Sequence, residues 1–350
     1  MRLDWRGALG ITLSALLLWY LLHGQVGLVV GVLRTSNLWL WAASAIVATA
    51  IFPLRARRWQ AILAPLAGRI PLRPLWHATA IGMMVNNVFP MRAGEFARAL
   101  AISRERRDVP LTAAIASLAV DRLFDGVVLI LLMLAGTLDP AFPADATILG
   151  VGAGNIAASA ALFLFAVLVG LYAFVLFPDA MLGLAERAGN ILSVKLGARL
   201  RALGGGFASG LGVLRSPKLA AEVFIWTVLH WLTNAAAFWL GFKALGIAAP
   251  FAAACFVQGI VAVGVAVPSS PGFFGVFEAT SAAGLKLYGV PETVALSWGI
   301  GFHILSFIPI TVLGAWYFSR LHLHVRDIVS DRVNDVVSNV AGKPSAESGA

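Results

Sequence analysis

The chain has 350 residues, of which 59% are hydrophobic and 12% charged, with a formal net charge of +9 and a mean hydropathy of +0.86. Soluble domains carry about twice that share of charge, so the composition excludes a soluble enzyme, a disordered chain and a secreted disulfide scaffold. Long apolar runs point instead to an all-α polytopic membrane protein. In such a fold the 35 glycines and 16 prolines are tolerated because neighbouring helices satisfy the freed backbone groups, and the single cysteine, Cys255, precludes an intrachain disulfide.

The opening MRLDWR is followed by an apolar run from Gly7. No small-residue cleavage pattern follows His23, so the run reads as a retained first span rather than a signal peptide. About 20 helical residues cross a hydrocarbon core roughly 30 Å thick. Six segments suffice as full transmembrane helices, at about 7–23, 37–54, 110–137, 147–177, 219–242 and 290–318. Two further stretches, about 75–105 and 248–286, are apolar but broken near their middles by Pro and Gly, which predicts two re-entrant broken-helix hairpins. The 179–218 stretch mixes Leu and Met with Arg187, Lys195, Arg199 and Arg201, the pattern of a helix lying in the membrane interface. Residues 1–320 thus form a transmembrane domain. Residues 321–350 form a short cytoplasmic tail, amphipathic from Val325 to Val340 and then polar and disordered.

Basic residues set the orientation. With the amino terminus cytoplasmic and each broken segment returning to its side of entry, 22 of the 26 Lys and Arg face the cytoplasm. Arg34, Lys243 and Lys286 fall outside, and Arg122 lies in the membrane. The expectation is a multi-pass protein of the cell (inner) membrane with both termini cytoplasmic. The positive charge marks a cytoplasmic face and attracts anionic headgroups; no nucleic-acid-reading motif accompanies it. Under this orientation, the order span, hairpin, span over about 37–137 recurs upside down over about 219–318. Inverted repeats with interrupted helices in corresponding positions are a transporter architecture, with the site where the breaks meet.

A break at membrane depth leaves peptide groups unpaired unless protein or water covers them, so it implies a buried polar cavity. The first break reads Asn86-Asn87-Val88-Phe89-Pro90-Met91-Arg92-Ala93-Gly94-Glu95, with Arg98 one turn on. Asn86 and Asn87 can cap the first half, Pro90 stops it, Gly94 permits a tight turn, and Arg92 and Glu95 bring opposite charges to it. The alternative is an ordinary cytoplasmic loop with solvated charges. The second break reads Pro268-Ser269-Ser270-Pro271-Gly272-Phe273-Phe274-Gly275-Val276-Phe277-Glu278. Ser269 and Ser270 can bind a polar group, while the phenylalanines either line an acyl-chain path or pack as core.

Between the breaks, Asp121-Arg122-Leu123-Phe124-Asp125 sits inside an apolar span. Asp121 and Asp125 share one face, with Arg122 about 100° away. Charges within a span cost about 2.5–3.5 kcal/mol each on insertion scales, so they face a partner or water. They form either a structural knot neutralised by Arg92 or Arg98, or part of a substrate site. His303, in the span that matches that of Asp121, is the stronger of the two intramembrane histidines; His230 and Asn234 read as packing residues.

The series Asn86…Pro90-x-Arg92-x-Gly94-Glu95-x-x-Arg98, Asp121-Arg122-x-x-Asp125 and Pro268-x-x-Pro271-Gly272-x-x-Gly275-x-x-Glu278 resembles the flippase-like membrane region of lysylphosphatidylglycerol synthases, over roughly 7–320. In bifunctional members, the resemblance implies, a cytosolic domain makes an aminoacylated lipid and the membrane part moves it between leaflets; stand-alone relatives are linked with varied lipids, polyprenyl-linked ones included. Aminoacyl transfer is not expected of this polypeptide alone.

The leading expectation is therefore translocation of a lipid with an anionic or zwitterionic headgroup, without ATP hydrolysis since no Walker sequence is present, and without a metal or cofactor. The expected substrate-binding residues are Asn86, Asn87, Arg92, Glu95, Arg98, Asp121, Arg122, Asp125, Ser269, Ser270, Glu278 and His303. The alternative is a membrane transferase acting on a polyprenyl phosphate, with Asp121 and Asp125 holding Mg²⁺. A third class is a non-catalytic partner of a lipid-synthesising or lipid-modifying enzyme.

Overall fold

The computed structural model describes residues 26–89, 93–143, 147–148, 151–266 and 271–321, together with 12, 16, 19–21, 23 and 24. Most of the expected first span and the tail beyond Leu321 lie outside the described residues. The β-structure among the described residues is one antiparallel ladder, Thr147–Ile148 against Val151–Gly152; the rest is helix and connections.

Helix α1 spans Val26–Arg34. Helix α2, Leu38–Thr49, starts where the Asn37 side chain accepts from the amides of Trp39 and Leu40, satisfying two donors that a helix start leaves open. Helix α3, Ile51–Ala67, continues α2 into one apolar helix of 30 residues, Leu38–Ala67. The expected span end at 54 is thus corrected. Arg55, Arg57 and Arg58 do not end the helix, because Trp59, Ile62 and Leu63 restore its buried face.

Helix α4 spans Leu72–Val88, α5 Gly94–Glu105 and α6 Leu111–Thr137. Helix α7, Ala153–Leu176, meets α8, Pro178–Asn190, at a bend of 113°. Helix α9, Val194–Gly210, returns along α8 and is tied to it by Arg201 and Glu186 at 2.6 Å, so the expected single interfacial helix is a pair. Helix α10 spans Pro217–Ala244, α11 Phe251–Ala266, α12 Val276–Lys286 and α13 Glu292–Arg320.

Leu38–Ala67, Pro217–Ala244 and Glu292–Arg320 are long and apolar enough to cross a membrane, and the bent α7–α8 pair makes a fourth candidate. Helix α6 matches them in length, with 27 residues, and carries the Asp121, Arg122 and Asp125 charges. Trp39, Ile46, Phe163, Phe165, Val312 and Trp316 are exposed, as expected of surfaces that meet lipid rather than water.

Contacts gather the helix ends into two groups. At one end His77 stacks on Tyr317 at 4.3 Å, His77 Nδ1 lies 2.9 Å from Glu105, and Pro65 abuts Gly212. At the other, the Asn37 amide donates to the Ala244 carbonyl, and Phe142 packs edge-on against Phe256 and Tyr288. Helices α4 and α5 form an antiparallel hairpin rooted in the first group. Helices α11 and α12 form one rooted in the second, with Gly264 against Thr280 and Gly284 against Val257. The first arm of each hairpin packs on the last long helix of the other half. A Cβ on Gly314 of α13 would strike Ala80 and Met84 of α4, and one on Gly136 of α6 would press on Ala252 and Phe256 of α11. Helices in lipid gain little from hydrophobic association, so small residues that let backbones approach carry much of the packing.

Candidate functional site

The two hairpin turns meet. A Cβ on Gly272 would stand 3.1 Å from the Asn87 carbonyl oxygen and 2.9 Å from Phe307, and Gly272 itself has φ +67°, a region glycine enters without strain. Its neighbour Phe273 also has positive φ, 61°, which is uncommon for a bulky residue. Both conformations aim the second turn at α4, and Phe273 lines the space between the hairpins.

The first turn is built by its asparagines. Asn86 Oδ1 accepts from the Gly94 amide at 2.9 Å, so Asn86 caps the returning helix across the turn rather than its own. Asn87 Nδ2 donates to Thr311 Oγ1 of α13 at 2.9 Å, tying the hairpin to the opposite half. Gly94 is needed for close packing. Its φ is not among the positive ones, and a Cβ there would collide with the Gly82 carbonyl and the Asn86 amide.

Behind the first turn lies a buried charge cluster. Arg58 bridges both aspartates, reaching Asp121 at 2.7 Å and also pairing with Asp125. Arg98 donates to Asp121 at 2.9 Å and lies 3.9 Å over the Trp59 ring, whose Nε1 donates to Ser117. Arg122 pairs with Glu95 at 2.7 Å and Asp125 at 3.2 Å, and Trp231 Nε1 donates to Asp125 at 2.8 Å. Arg58 and Asp121 have no exposed side-chain surface. Counted along their helices from Ala67 and Leu111, they lie about 14 and 15 Å from the first group of ends, so the cluster sits at one depth, well inside the fold.

The fourth arginine is different. Arg55 has no carboxylate within salt-bridge distance among the described residues, yet it lines both cavities between the hairpins. Arg55, Arg58, Arg98 and Arg122 face Glu95, Asp121 and Asp125, an excess of one positive charge.

The smaller cavity, about 160 Å³, is lined by Asn86, Asn87, Glu95 and Arg98 together with Arg55, Met83, Arg122 and Phe273. The last four also line a larger cavity of about 490 Å³, whose walls are mostly apolar: Ile51, Leu129, Ile130, Met133, Val261, Phe277, Phe302 and Ile310, with Asp125, His230, Asn234 and Gln258 among them.

Of the expected site residues, Asn86, Asn87, Glu95, Arg98, Arg122 and Asp125 line these cavities, and Asp121 lies buried beneath them in the cluster. Glu278 and His303 come together but line neither cavity. Glu278 accepts from the Gly275 amide at 2.6 Å and lies 2.7 Å from His303 Nδ1, under the stacked Phe274. They brace the second turn from behind. Arg92, Ser269 and Ser270 lie outside the described residues, as do Pro90 and Pro268.

Arg55, Arg58 and Trp231 were not anticipated. The signal for the arginines was the apolar run Trp59–Leu66 beyond them, which marks a helix continuing past charge rather than ending at it. Trp231 gave none, because only tertiary packing brings its indole to Asp125.

Apolar helices, two facing hairpins and a buried charged cavity define a polytopic helical membrane protein with an internal polar site. The chain belongs to the family described as the lysylphosphatidylglycerol synthase TM region, whose profile matches residues 7–314. It is similar, at 38% identity over 140 residues, to a protein of Haloferax volcanii named glycosyltransferase AglD; the match covers 38% of this chain and 22% of that protein. The chain therefore spans only about a fifth of that relative's length. No solved structure matches it.

Proposed function

We propose that the protein moves a polar membrane lipid between leaflets, its headgroup passing between the hairpin turns while its chains stay in apolar surroundings. The observation that carries this is the pair of adjoining cavities that share four lining residues: one ringed by Arg55, Arg98 and Arg122, the other walled mostly by Ile, Leu, Val and Phe. That is the amphipathic profile of a phospholipid. A charged headgroup is costly in hydrocarbon, and a ring of arginine donors lining the cavity offsets that cost for a phosphate.

On this reading α4–α5 and α11–α12 are re-entrant hairpins entering from opposite faces. At 17 and 12 residues, and 16 and 11, their arms are about 26 Å long or less, short of a full crossing. The halves 37–137 and 219–318 are then inverted repeats, supported by the reciprocal packing of α4 on α13 and α11 on α6. The first group of helix ends, with Arg69, Arg73, Arg107 and Arg320, is the cytoplasmic side.

The test is reconstitution into liposomes with fluorescent phospholipids. Accelerated exchange between leaflets is expected; exchange no faster than in protein-free vesicles, over anionic, zwitterionic and cationic headgroups, refutes the reading.

A transferase acting on a polyprenyl phosphate has one observation in its favour, the name of the Haloferax relative. The aspartate pair argues against its Mg²⁺ version. Arg58 already bridges Asp121 and Asp125, so a guanidinium occupies the side of the pair that a metal needs.

A further inference from the structure

We infer that His230, Asn234 and Gln258 form a second, uncharged station in the larger cavity, one that binds a hydroxyl of an anionic lipid headgroup. The inference rests on the translocation reading and names the substrate class within it. These three residues line the same cavity as Arg55, Arg122 and Asp125. Asn234 Nδ2 donates to Gln258 Oε1 at 3.1 Å, which fixes the other amide atom, Gln258 Nε2, as a free donor. Gln258 and His230 are each about 1% exposed, and Gln258 Nε2 and His230 Nδ1 are closed to solvent with no hydrogen-bond partner among the described residues. Native folds seldom leave such atoms unpaired without a ligand or water to take them up.

The two orphan atoms select a chemical class. The amide needs an acceptor. The imidazole nitrogen accepts or donates according to its tautomer. A hydroxyl answers both, because it accepts and donates at once. An ammonium group only donates and a quaternary ammonium does neither, so amine and choline headgroups leave Gln258 unsatisfied. The charge of the neighbouring cluster selects in the same direction, since its positive excess attracts phosphate and repels a cationic headgroup. The spacing fits as well. Trp231, next to His230 in the chain, holds Asp125, and Asn234 lies three residues, about 4.5 Å, further along α10. Asp125, which pairs with Arg122, and Gln258, which pairs with Asn234, are thus held within one helical turn of each other along α10.

The test measures lipid binding to the full chain in detergent by native mass spectrometry, comparing phosphatidylglycerol with phosphatidylmethanol. Both carry one phosphodiester charge, and only the first has headgroup hydroxyls. The wild type is expected to prefer phosphatidylglycerol about three- to tenfold, the range set by one or two net hydrogen bonds. Gln258→Leu is expected to abolish that preference while still binding phosphatidylmethanol, which also shows that the variant is folded. Gln258→Glu, nearly isosteric and anionic, is expected to weaken both lipids. Equal binding of the two lipids by wild type, an unchanged ratio in Gln258→Leu, or glycerol phosphate bound as tightly as the lipid overturns the inference. Hydroxyl-selective binding with no leaflet exchange in liposomes refutes translocation and leaves the station standing. Exchange without headgroup selectivity does the reverse.

Discussion

Replacing Arg58 with methionine removes the side chain that pairs closely with both intramembrane aspartates, Arg122 reaching Asp121 only at 3.9 Å, while keeping most of the volume of its stem. Asp121 retains Arg98 at 2.9 Å, and Asp125 retains Arg122 at 3.2 Å and the Trp231 indole at 2.8 Å. The loss is therefore less than a complete stripping of the pair. Removing one member of a buried ion pair costs about 3–5 kcal/mol. Two carboxylates one helical turn apart, about 6 Å, repel by roughly 2–3 kcal/mol at an effective dielectric of 20. The expected destabilisation is about 3 kcal/mol. Adding Asp125→Asn removes the repulsion and one buried charge, so the double variant is expected to be more stable than Arg58→Met alone, with a coupling above about 1 kcal/mol. Equilibrium unfolding in mixed detergent micelles, followed by tryptophan fluorescence, measures all four corners of the cycle. An Arg58→Met variant within about 1 kcal/mol of wild type, or a double variant no more stable than the single, would refute the assignment of Arg58 as the keystone of the cluster.

Arg55→Gln is the contrasting change. With no carboxylate partner to strand among the described residues, its unfolding midpoint is expected to stay level or rise, while anionic lipid binding falls about tenfold, the worth of one charged hydrogen bond; native mass spectrometry reads the second and the micelle assay the first. Gly94→Ala drives a methyl into the Gly82 carbonyl and the Asn86 side chain, so overpacking is expected to cost about 1–3 kcal/mol, visible as a lowered melting temperature. Glu278→Gln weakens the buried contact with His303, and a stability loss of about 1–2 kcal/mol with less than twofold change in lipid binding is expected, because neither residue lines a cavity. In a Cys255→Ser background, a cysteine at Arg69 is expected to react with membrane-impermeant maleimide from the cytoplasmic face, and cysteines at Leu138 or Lys286 from the opposite face. Labelling of all three from one face overturns the inverted arrangement.

The residue order alone determined that this is a helical membrane protein, where its two broken stretches fall, and that Asp121, Arg122 and Asp125 need partners inside the bilayer. These follow from local physics: the length of apolar runs, the inability of Pro90 and Pro271 to continue a regular helix, and the cost of charge in hydrocarbon. Arg98 was readable as a partner for Asp121 because it lies on the hairpin next to that span. For Arg58 the apolar run beyond it marks a helix that continues past charge, but nothing in the order of residues says which carboxylates it meets. Only the packing of α3 against α6 buries Arg58 as a bridge, with Arg55 left over as a cation facing the cavity and Arg57 exposed. Glu278 and His303 show the converse. Their sequence positions suggested a binding role, and tertiary contact turns them on each other behind the second turn. Hydropathy and helix breaks act within a few residues, so a linear reading captures them. Which buried charges neutralise one another and which remain free for a ligand depends on how helices far apart in the chain are rotated against each other, and that rotation is fixed only when the whole bundle packs.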